Sequence, residues 1–140
     1  GFGGNGIETF IYCLEGELTV TIGSETHELT SGGYAYCPPT ESLKFENKST
    51  ENTETFLYKK RYQEVEGYAP YPVVGNSNEI PYQDYEGMTD VGLKDLLPTD
   101  LNFDMKRFLN QLKMKLEEIY LKLLVMMLLK HSKKIYLHFF

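Results

Sequence analysis

The residue types that could bind a metal are few in this chain and widely spaced. Histidine occurs three times, at His27, His131 and His138. His27 lies in a predicted hairpin, where a surface histidine is the expected state, and no carboxylate lies between His131 and His138. Imidazole and carboxylate groups bind divalent transition metals as clusters. We therefore predict that these histidines are incidental and that the chain has no metal, catalytic or cofactor-binding residues.

The two cysteines, Cys13 and Cys37, each lie within an apolar, strand-like run. Secreted domains of this size that depend on disulfides usually contain more cysteines, at closer spacing. The sequence therefore predicts a buried, reduced pair of thiols in a cytoplasmic protein.

The first six residues, GFGGNG, satisfy the pattern G-x-G-x-x-G. A dinucleotide-binding loop with this pattern must follow a strand and open a helix, whose N-terminus binds the pyrophosphate. Here a β-prone run follows the glycines, so we predict a flexible loop. Because the chain begins with Gly1 rather than Met, we also expect that the true N-terminus is missing.

Residues 7–62 consist of short β-prone runs separated by turns that contain Gly or Pro. One run, Glu17–Ile22, alternates strictly between apolar and polar residues. The predicted strands are Ile7–Leu14, Glu17–Ile22, Glu25–Leu29, Tyr34–Cys37, Leu43–Glu46 and Thr53–Tyr62. This spacing is typical of an antiparallel sandwich or barrel.

Residues 63–88 are rich in Tyr, Pro and Gly and show little periodicity. Such a stretch is typical of an ordered arm that lies over a barrel, because a flexible linker would contain fewer aromatic residues. The following run, Met88–Leu97, is predicted as one more strand.

The composition changes abruptly at about Met105. Residues 1–105 contain 18 acidic and 6 basic residues, whereas residues 106–140 contain 2 acidic and 8 basic residues. An overall pI near 5.1 argues against nucleic acid as the main partner. Lys106–Lys130 consists mainly of helix formers, with an apolar stripe that widens toward its end.

This composition predicts a basic helical tail that needs a partner surface. A membrane-surface anchor and a segment that does not fold are the alternatives. The longest nearly apolar run, Ile119–Leu129, has 11 residues, which is too short to span a bilayer.

Two stretches of the β-region resemble the motifs of the cupin superfamily. They are Phe10–Leu18, which contains a Gly between two strands, and a second stretch with Gly32, Pro38, Leu43 and Asn47 at the spacing of the second motif. The resemblance implies a small β-barrel of the jelly-roll type. The metal ligands of that superfamily are His and Glu in the first motif and His in the second.

In this chain the glutamate position of the first motif is Thr9, and Glu8 is one place away, where strand alternation would turn it to the opposite face. The histidine position of the second motif is Leu43. The resemblance therefore implies a barrel that does not bind metal.

A narrower resemblance covers about residues 7–105. Its motifs resemble those of the bacterial (S)-ureidoglycine aminohydrolase family, and they are Phe56–Tyr62, Val65–Pro70, Val74–Asn76, Tyr85–Met88, Leu96–Pro98 and Phe103–Met105. This resemblance implies a hydrolase of purine degradation (allantoin catabolism) that converts ureidoglycine to ureidoglycolate and ammonia. The family is bicupin, with a metal-free first barrel, a connecting arm and a second barrel that binds manganese. The manganese-binding run would follow Met105, where this chain diverges.

We therefore expect three parts: an N-terminal cupin barrel at 1–62, an arm and the start of a second cupin at 63–105, and a divergent helical tail at 106–140. Such a fragment is expected to be inactive alone, although the family acts on a small-molecule substrate. Uncovered strand edges and the apolar tail predict poor solubility or self-association into a homo-oligomer.

Three alternatives stay open at the level of sequence. The chain could be a non-enzymatic cupin module for assembly or small-ligand binding, with Tyr12 and Tyr36 lining its barrel. The tail could be an amphipathic helix that binds a partner. Its abundance of residue types that A/T-rich codons encode fits a frameshift, whereas its helix-forming composition fits an acquired segment.

Overall fold

A computed structural model of the chain describes residues 2–85, 87–100, 102–104 and 135–139. These residues are mainly β. The strands are β1 (Phe2–Gly3), β2 (Ile7–Glu15), β3 (Glu17–Ile22), β4 (Glu25–Thr30), β5 (Gly33–Cys37), β6 (Ser42–Glu46), β7 (Glu54–Arg61), β8 (Val73–Asn76), β9 (Gln83–Tyr85), β10 (Met88–Asp95) and β11 (Ile135–Phe139). A short 3-10 helix, Ser77–Glu79, follows β8.

Two four-stranded sheets form the first part of the molecule. Sheet 1 has the strand order β1-β6-β3-β4, and sheet 2 has the order β7-β2-β5-β8. All pairs within these sheets are antiparallel. Within the described residues the sheets do not join into a closed barrel, so the architecture is an open jelly-roll-type sandwich.

The main core lies between the two sheets. Strict alternation in β3 directs Leu18, Val20 and Ile22 into this core, and β2 contributes Ile11 and Cys13. The other buried members are Leu29, Ala35, Cys37 and Leu43. Since the side chains of a strand alternate between its two faces, the pattern predicted for Glu17–Ile22 is the pattern observed.

The two central strands of sheet 2, β2 and β5, are largely buried on both of their faces. The face turned away from sheet 1, called here the outer face, contains Phe10, Tyr34 and Tyr36. Three residues that follow β10 pack on it, namely Leu96, Leu97 and Phe103. The later part of the chain therefore covers a surface that a two-sheet sandwich would leave exposed.

The arm adds a strand to sheet 2. Strand β8 pairs with β5, with Gly33 opposite Asn76. The turn before β5 needs glycine at position 32, because its φ is +87° and a Cβ atom there would lie 2.5 Å from Asn78 Nδ2. Asn78 in turn donates to the carbonyl of Ser31 over 3.0 Å. These contacts fix the arm against the turn between β4 and β5.

Sheet 3 is formed by β9, β10 and β11. Strand β10 pairs antiparallel with β9 and parallel with β11. The helix predicted for Lys106–Lys130 lies outside the described residues. The end of the chain differs from the expected helical tail, since Ile135–Phe139 is a strand. Its β-branched and aromatic residues suit a strand, and the edge of β10 supplies the pairing partner.

The predicted strands between residues 7 and 62 are all present, with ends shifted by at most one residue. The prediction of a flexible loop over the first six residues was wrong for Phe2–Gly3. That dipeptide pairs with β6, and the Phe2 ring stacks on Phe45 with the centroids 5.2 Å apart. No periodicity along the chain predicts β8 or β9, because four residues or fewer are too short to show it.

Candidate functional site

The interior between the sheets is where the cupin resemblance would place a metal. Thr9 and Leu43, at the ligand positions, are both fully buried. Leu43 packs in the apolar core, and the Thr9 hydroxyl has no hydrogen-bond partner among the described residues. One hydroxyl among aliphatic side chains does not provide the imidazole and carboxylate ligands that a divalent transition metal requires. The residues of this interior therefore do not fit a metal centre.

The two thiols in the same core do not supply ligands either. Cys13 and Cys37 are free and buried. Burial, with a smaller contribution from Glu41, raises the pKa of Cys37 to about 12. Burial, followed by the charge of Glu17, also raises the pKa of Cys13. Since metals bind the thiolate, these neutral thiols are core residues.

The histidines bring no ligand cluster together in the described part of the chain. His27 Nε2 lies 3.7 Å from Glu25 Oε2 on the partly exposed surface of β4. No group of three or more His, Cys, Asp or Glu residues with metal-binding geometry occurs among the described residues. His131 lies outside them, and His138 is on β11 opposite Lys94.

The glycine-rich segment does not have the geometry of a phosphate-binding loop. Gly3, Gly4, Asn5 and Gly6 all have positive φ values, and the amide of Ile7 donates to the carbonyl of Gly4 over 3.0 Å. The segment therefore turns the chain from β1 into β2. A pyrophosphate site would need a helix N-terminus here.

The acidic residue next to Thr9 lies on the outer face of sheet 2. The Tyr36 hydroxyl donates to Glu8 Oε2 over 2.7 Å, and both side chains are fully buried. Burial, with the nearby Glu8 charge and hydrogen bond, raises the pKa of Tyr36 well above its usual range. Tyr36 therefore stays protonated and donates to the carboxylate. It does not line the interior, as the alternative of a ligand-binding barrel required.

A second polar pair holds the segment that covers this face. Lys60 on β7 pairs with Asp104, whose side chain is only 4% exposed. The same Asp104 oxygen accepts the backbone N–H of Gln63 over 2.9 Å, and the Tyr62 hydroxyl donates to the carbonyl of Asn102 over 3.1 Å. These bonds connect the end of β7 to residues 102–104.

The polar groups buried at this outer face therefore have a structural role. Glu8, Tyr36 and Asp104 are each less than 5% exposed, so a substrate cannot reach them without displacing the covering segment. The sequence did not reveal this network. The only signals in the sequence were the basic run Lys59–Arg61 at the end of a predicted strand and the acidic residue Asp104 next to Phe103.

One open cavity lies beside the network, at the rim of sheet 2. It has a volume of about 330 Å³ and is lined by Tyr12, Leu14, Ser31, Gly32, Phe56, Asn78 and Leu96. The hydroxyl of Tyr12 is 2.7 Å from Ser77 Oγ. Among the residues that the structure describes, its lining contains no carboxylate, histidine or amine, so these residues provide no acid–base pair for hydrolysis.

The geometry and the comparisons with known proteins agree on the class of domain, which is a cupin. Residues 5–58 match the cupin domain family, so the chain contains a cupin domain. Over three quarters of its length the chain is a relative of the (S)-ureidoglycine aminohydrolases. It is 51% identical over 105 residues to the Escherichia coli (strain K12) enzyme of that name, a match that covers 75% of this chain and 40% of the relative.

Two further comparisons give the same result. The chain is 34% identical over 100 residues to the protein of Oryza sativa subsp. japonica named probable (S)-ureidoglycine aminohydrolase, and the match covers 71% of this chain and 31% of that protein. The crystal structure of protein Ylba from E. coli matches with a TM-score of 0.66 and 45% identity, covering 74% of this chain and 40% of that one. The chain thus spans well under half the length of these relatives. No helix among the described residues is long and apolar enough to cross a membrane.

From the interior geometry we expect that the purified chain does not retain manganese in a stoichiometric amount. Neither Thr9 nor Leu43 supplies the ligand that a transition metal needs at its position. Elemental analysis after exchange into Mn²⁺ and removal of free metal would measure this, with a sample treated with chelator as the control. One tightly held manganese ion per chain would contradict the prediction.

Proposed function

We propose that this chain provides the metal-free cupin portion of an (S)-ureidoglycine aminohydrolase and has no independent hydrolytic activity. The observation that supports this is an interior packed with aliphatic residues, in a chain 51% identical to the E. coli enzyme. In the family it resembles, the catalytic manganese belongs to a second barrel. The corresponding run would follow Met105, outside the described residues.

The proposed role is to build and position the catalytic part. Residues 1–62 would form the first cupin, residues 63–105 the arm and the start of the second cupin, and residues 106–140 a divergent tail. The outer face of sheet 2 supports this division, because Leu96, Leu97 and Phe103 from the second part pack on aromatic residues of the first. The two protonated, buried thiols support a reducing compartment such as the cytoplasm.

A segment exchange would test the role as a scaffold. The aligned segment of the E. coli relative is replaced by the corresponding part of this chain, and ammonia release from ureidoglycine is measured in the presence of Mn²⁺. We expect the chimera to keep activity within about tenfold of the E. coli protein, because surface differences between relatives usually change stability by less than about 0.5 kcal/mol. The 140-residue chain alone should not exceed the spontaneous rate.

A matched control is the same chimera with Val20→Asp. Val20 is fully buried in the core between the sheets, so an unpaired charge there should unfold the cupin and abolish activity. The proposal would be wrong if the chain alone showed turnover that a chelator stops. It would also be wrong if a folded chimera that binds manganese were inactive.

A further inference from the structure

A second cavity, of about 400 Å³, lies between the glycine-rich turn that follows β1 and the end of β7. It is lined by Phe2, the turn residues Gly3–Asn5, Ile7 at the start of β2, and the basic run Lys59–Arg61. No acidic side chain occurs among these lining residues. Since residues 1–105 contain only six basic residues, half of them lie at this cavity. Its volume is in the range of sites that hold small molecules.

The charge of Lys60 is compensated by acidic residues on the outer face of sheet 2. Lys60 lies opposite Glu8 of β2, and its amine pairs with the buried carboxylate of Asp104. This lysine therefore belongs to the network already described, and a ligand in the cavity does not depend on it.

The charges of Lys59 and Arg61 have no such compensation in the described part of the chain. Their neighbours across β2 are Thr9 and Ile7, which are uncharged, and neither side chain is in an ion pair with a described residue. Residues two apart on a strand point to the same face, so two exposed cations lie side by side. Like charges in this position repel each other, and a bound anion would relieve the repulsion.

Both cationic groups lie against the walls of the cavity. The Lys59 amine is 5.6 Å from the centroid of the Phe2 ring, and that ring is stacked on Phe45. A Cβ atom at Gly6 would lie 3.7 Å from Arg61 Nη1, so the guanidinium group lies close to the backbone of the turn. These contacts restrict the two side chains and lower the entropy that a ligand would have to remove.

We propose that this cavity is a binding site for a small organic carboxylate. Arg61 provides the planar fork of donors that matches the two carboxylate oxygens, and Lys59 provides a second positive charge. The exposed carboxamide of Asn5 is a further donor at the rim. Phe2 and Ile7 supply apolar walls for the carbon body of the ligand.

An organic carboxylate suits this cavity better than a phosphate group does. The turn does not open a helix, whose N-terminal amides usually bind phosphate, and the apolar walls favour a ligand with a carbon body. The site is independent of the proposed hydrolytic role, since it needs neither a metal ion nor the second barrel of the family.

A titration of the ¹⁵N-labelled chain with butyrate at constant ionic strength tests the proposal. We expect saturable changes in the amide resonances of the turn residues Gly3–Gly6, because these residues border the cavity. The neutral amide of the same shape, butyramide, should bind at least about tenfold more weakly, since it lacks the charge that strengthens the hydrogen bonds. Inorganic phosphate, titrated separately, should also bind more weakly than butyrate.

Two variants assign the binding to the proposed side chains. Arg61→Gln should raise the dissociation constant for butyrate by about five- to tenfold, the usual value of a charge-assisted hydrogen bond at a partly exposed site. Lys59→Gln should raise it by about threefold or more. The matched control is Lys44→Gln on β6, which makes the same change in net charge at an exposed position that does not line the cavity. It should leave the dissociation constant within about twofold, because exposed distant charges are screened.

Circular dichroism checks that each variant is folded, and the two cavity variants give independent measurements if one of them is not. The proposal would be overturned if butyrate caused no saturable change, or if butyramide bound as well as butyrate. An effect of Lys44→Gln equal to that of Arg61→Gln would show a general response to net charge. Phosphate that bound more tightly than butyrate would contradict the assignment to a carboxylate.

Discussion

Replacement of Phe103 by Ala should lower the free energy of unfolding by about 3–5 kcal/mol, the usual cost of removing a fully buried phenylalanine. Phe103 is completely buried, and its ring packs edge-to-face on Tyr36 and on Tyr71, with centroids 5.0 Å away in each case. The substitution would leave a cavity between the cupin domain and the segment that covers it. Urea unfolding followed by circular dichroism would measure the loss.

The control for this prediction is Tyr68→Ala, which removes an arm aromatic that is 40% exposed. Its cost should stay below about 1 kcal/mol, because little apolar area leaves the core. Equal losses in the two variants would show that residues 102–104 do not pack as described. Loss of cooperativity in Phe103→Ala alone would indicate that the cover has separated from the sandwich.

Asp104→Asn should be the second large perturbation. It removes the charge that pairs with Lys60, whose side chain is only 19% exposed, and it weakens the acceptor for the amide of Gln63. Removing one partner of a buried ion pair costs about 3–5 kcal/mol, and we expect the lower end of that range because Lys60 keeps some contact with water. Denaturant unfolding at neutral pH provides the measurement.

A double variant separates the cost of an unpaired charge from the cost of lost packing. Lys60→Met combined with Asp104→Leu should recover most of the stability lost in Asp104→Asn, because replacing both ions by apolar residues avoids the uncompensated charge. Asp84→Asn, at an exposed position on β9, is the surface control and should change the unfolding free energy by less than about 0.5 kcal/mol. A double variant less stable than the single one would contradict this account.

Most of the strand positions in the cupin domain could be predicted from the sequence. The runs between residues 7 and 62 are separated by Gly and Pro turns, and such local signals determine where strands begin and end. The resemblance to the cupin superfamily also identified Thr9 and Leu43 as the residues at the ligand positions. Both are buried in the interior, where neither can act as a metal ligand.

Other features were not predictable because they depend on residues far apart in the chain. Strand β8 forms only because β5 offers it an edge, and β1 forms only because β6 does. The Lys60–Asp104 pair joins residues that are 44 positions apart. No local periodicity marks contacts of this kind.

The sequence by itself determined the class of the domain and most of its strands, because residue type and spacing carry that information directly. Only the tertiary structure showed that the central strands of sheet 2 are covered on both faces, that Glu8 and Tyr36 form a buried pair, and that Lys60 pairs with Asp104. The reason is physical. Burial and pairing depend on which surfaces meet in space. The local sequence pattern of a strand does not specify which distant segment packs on it.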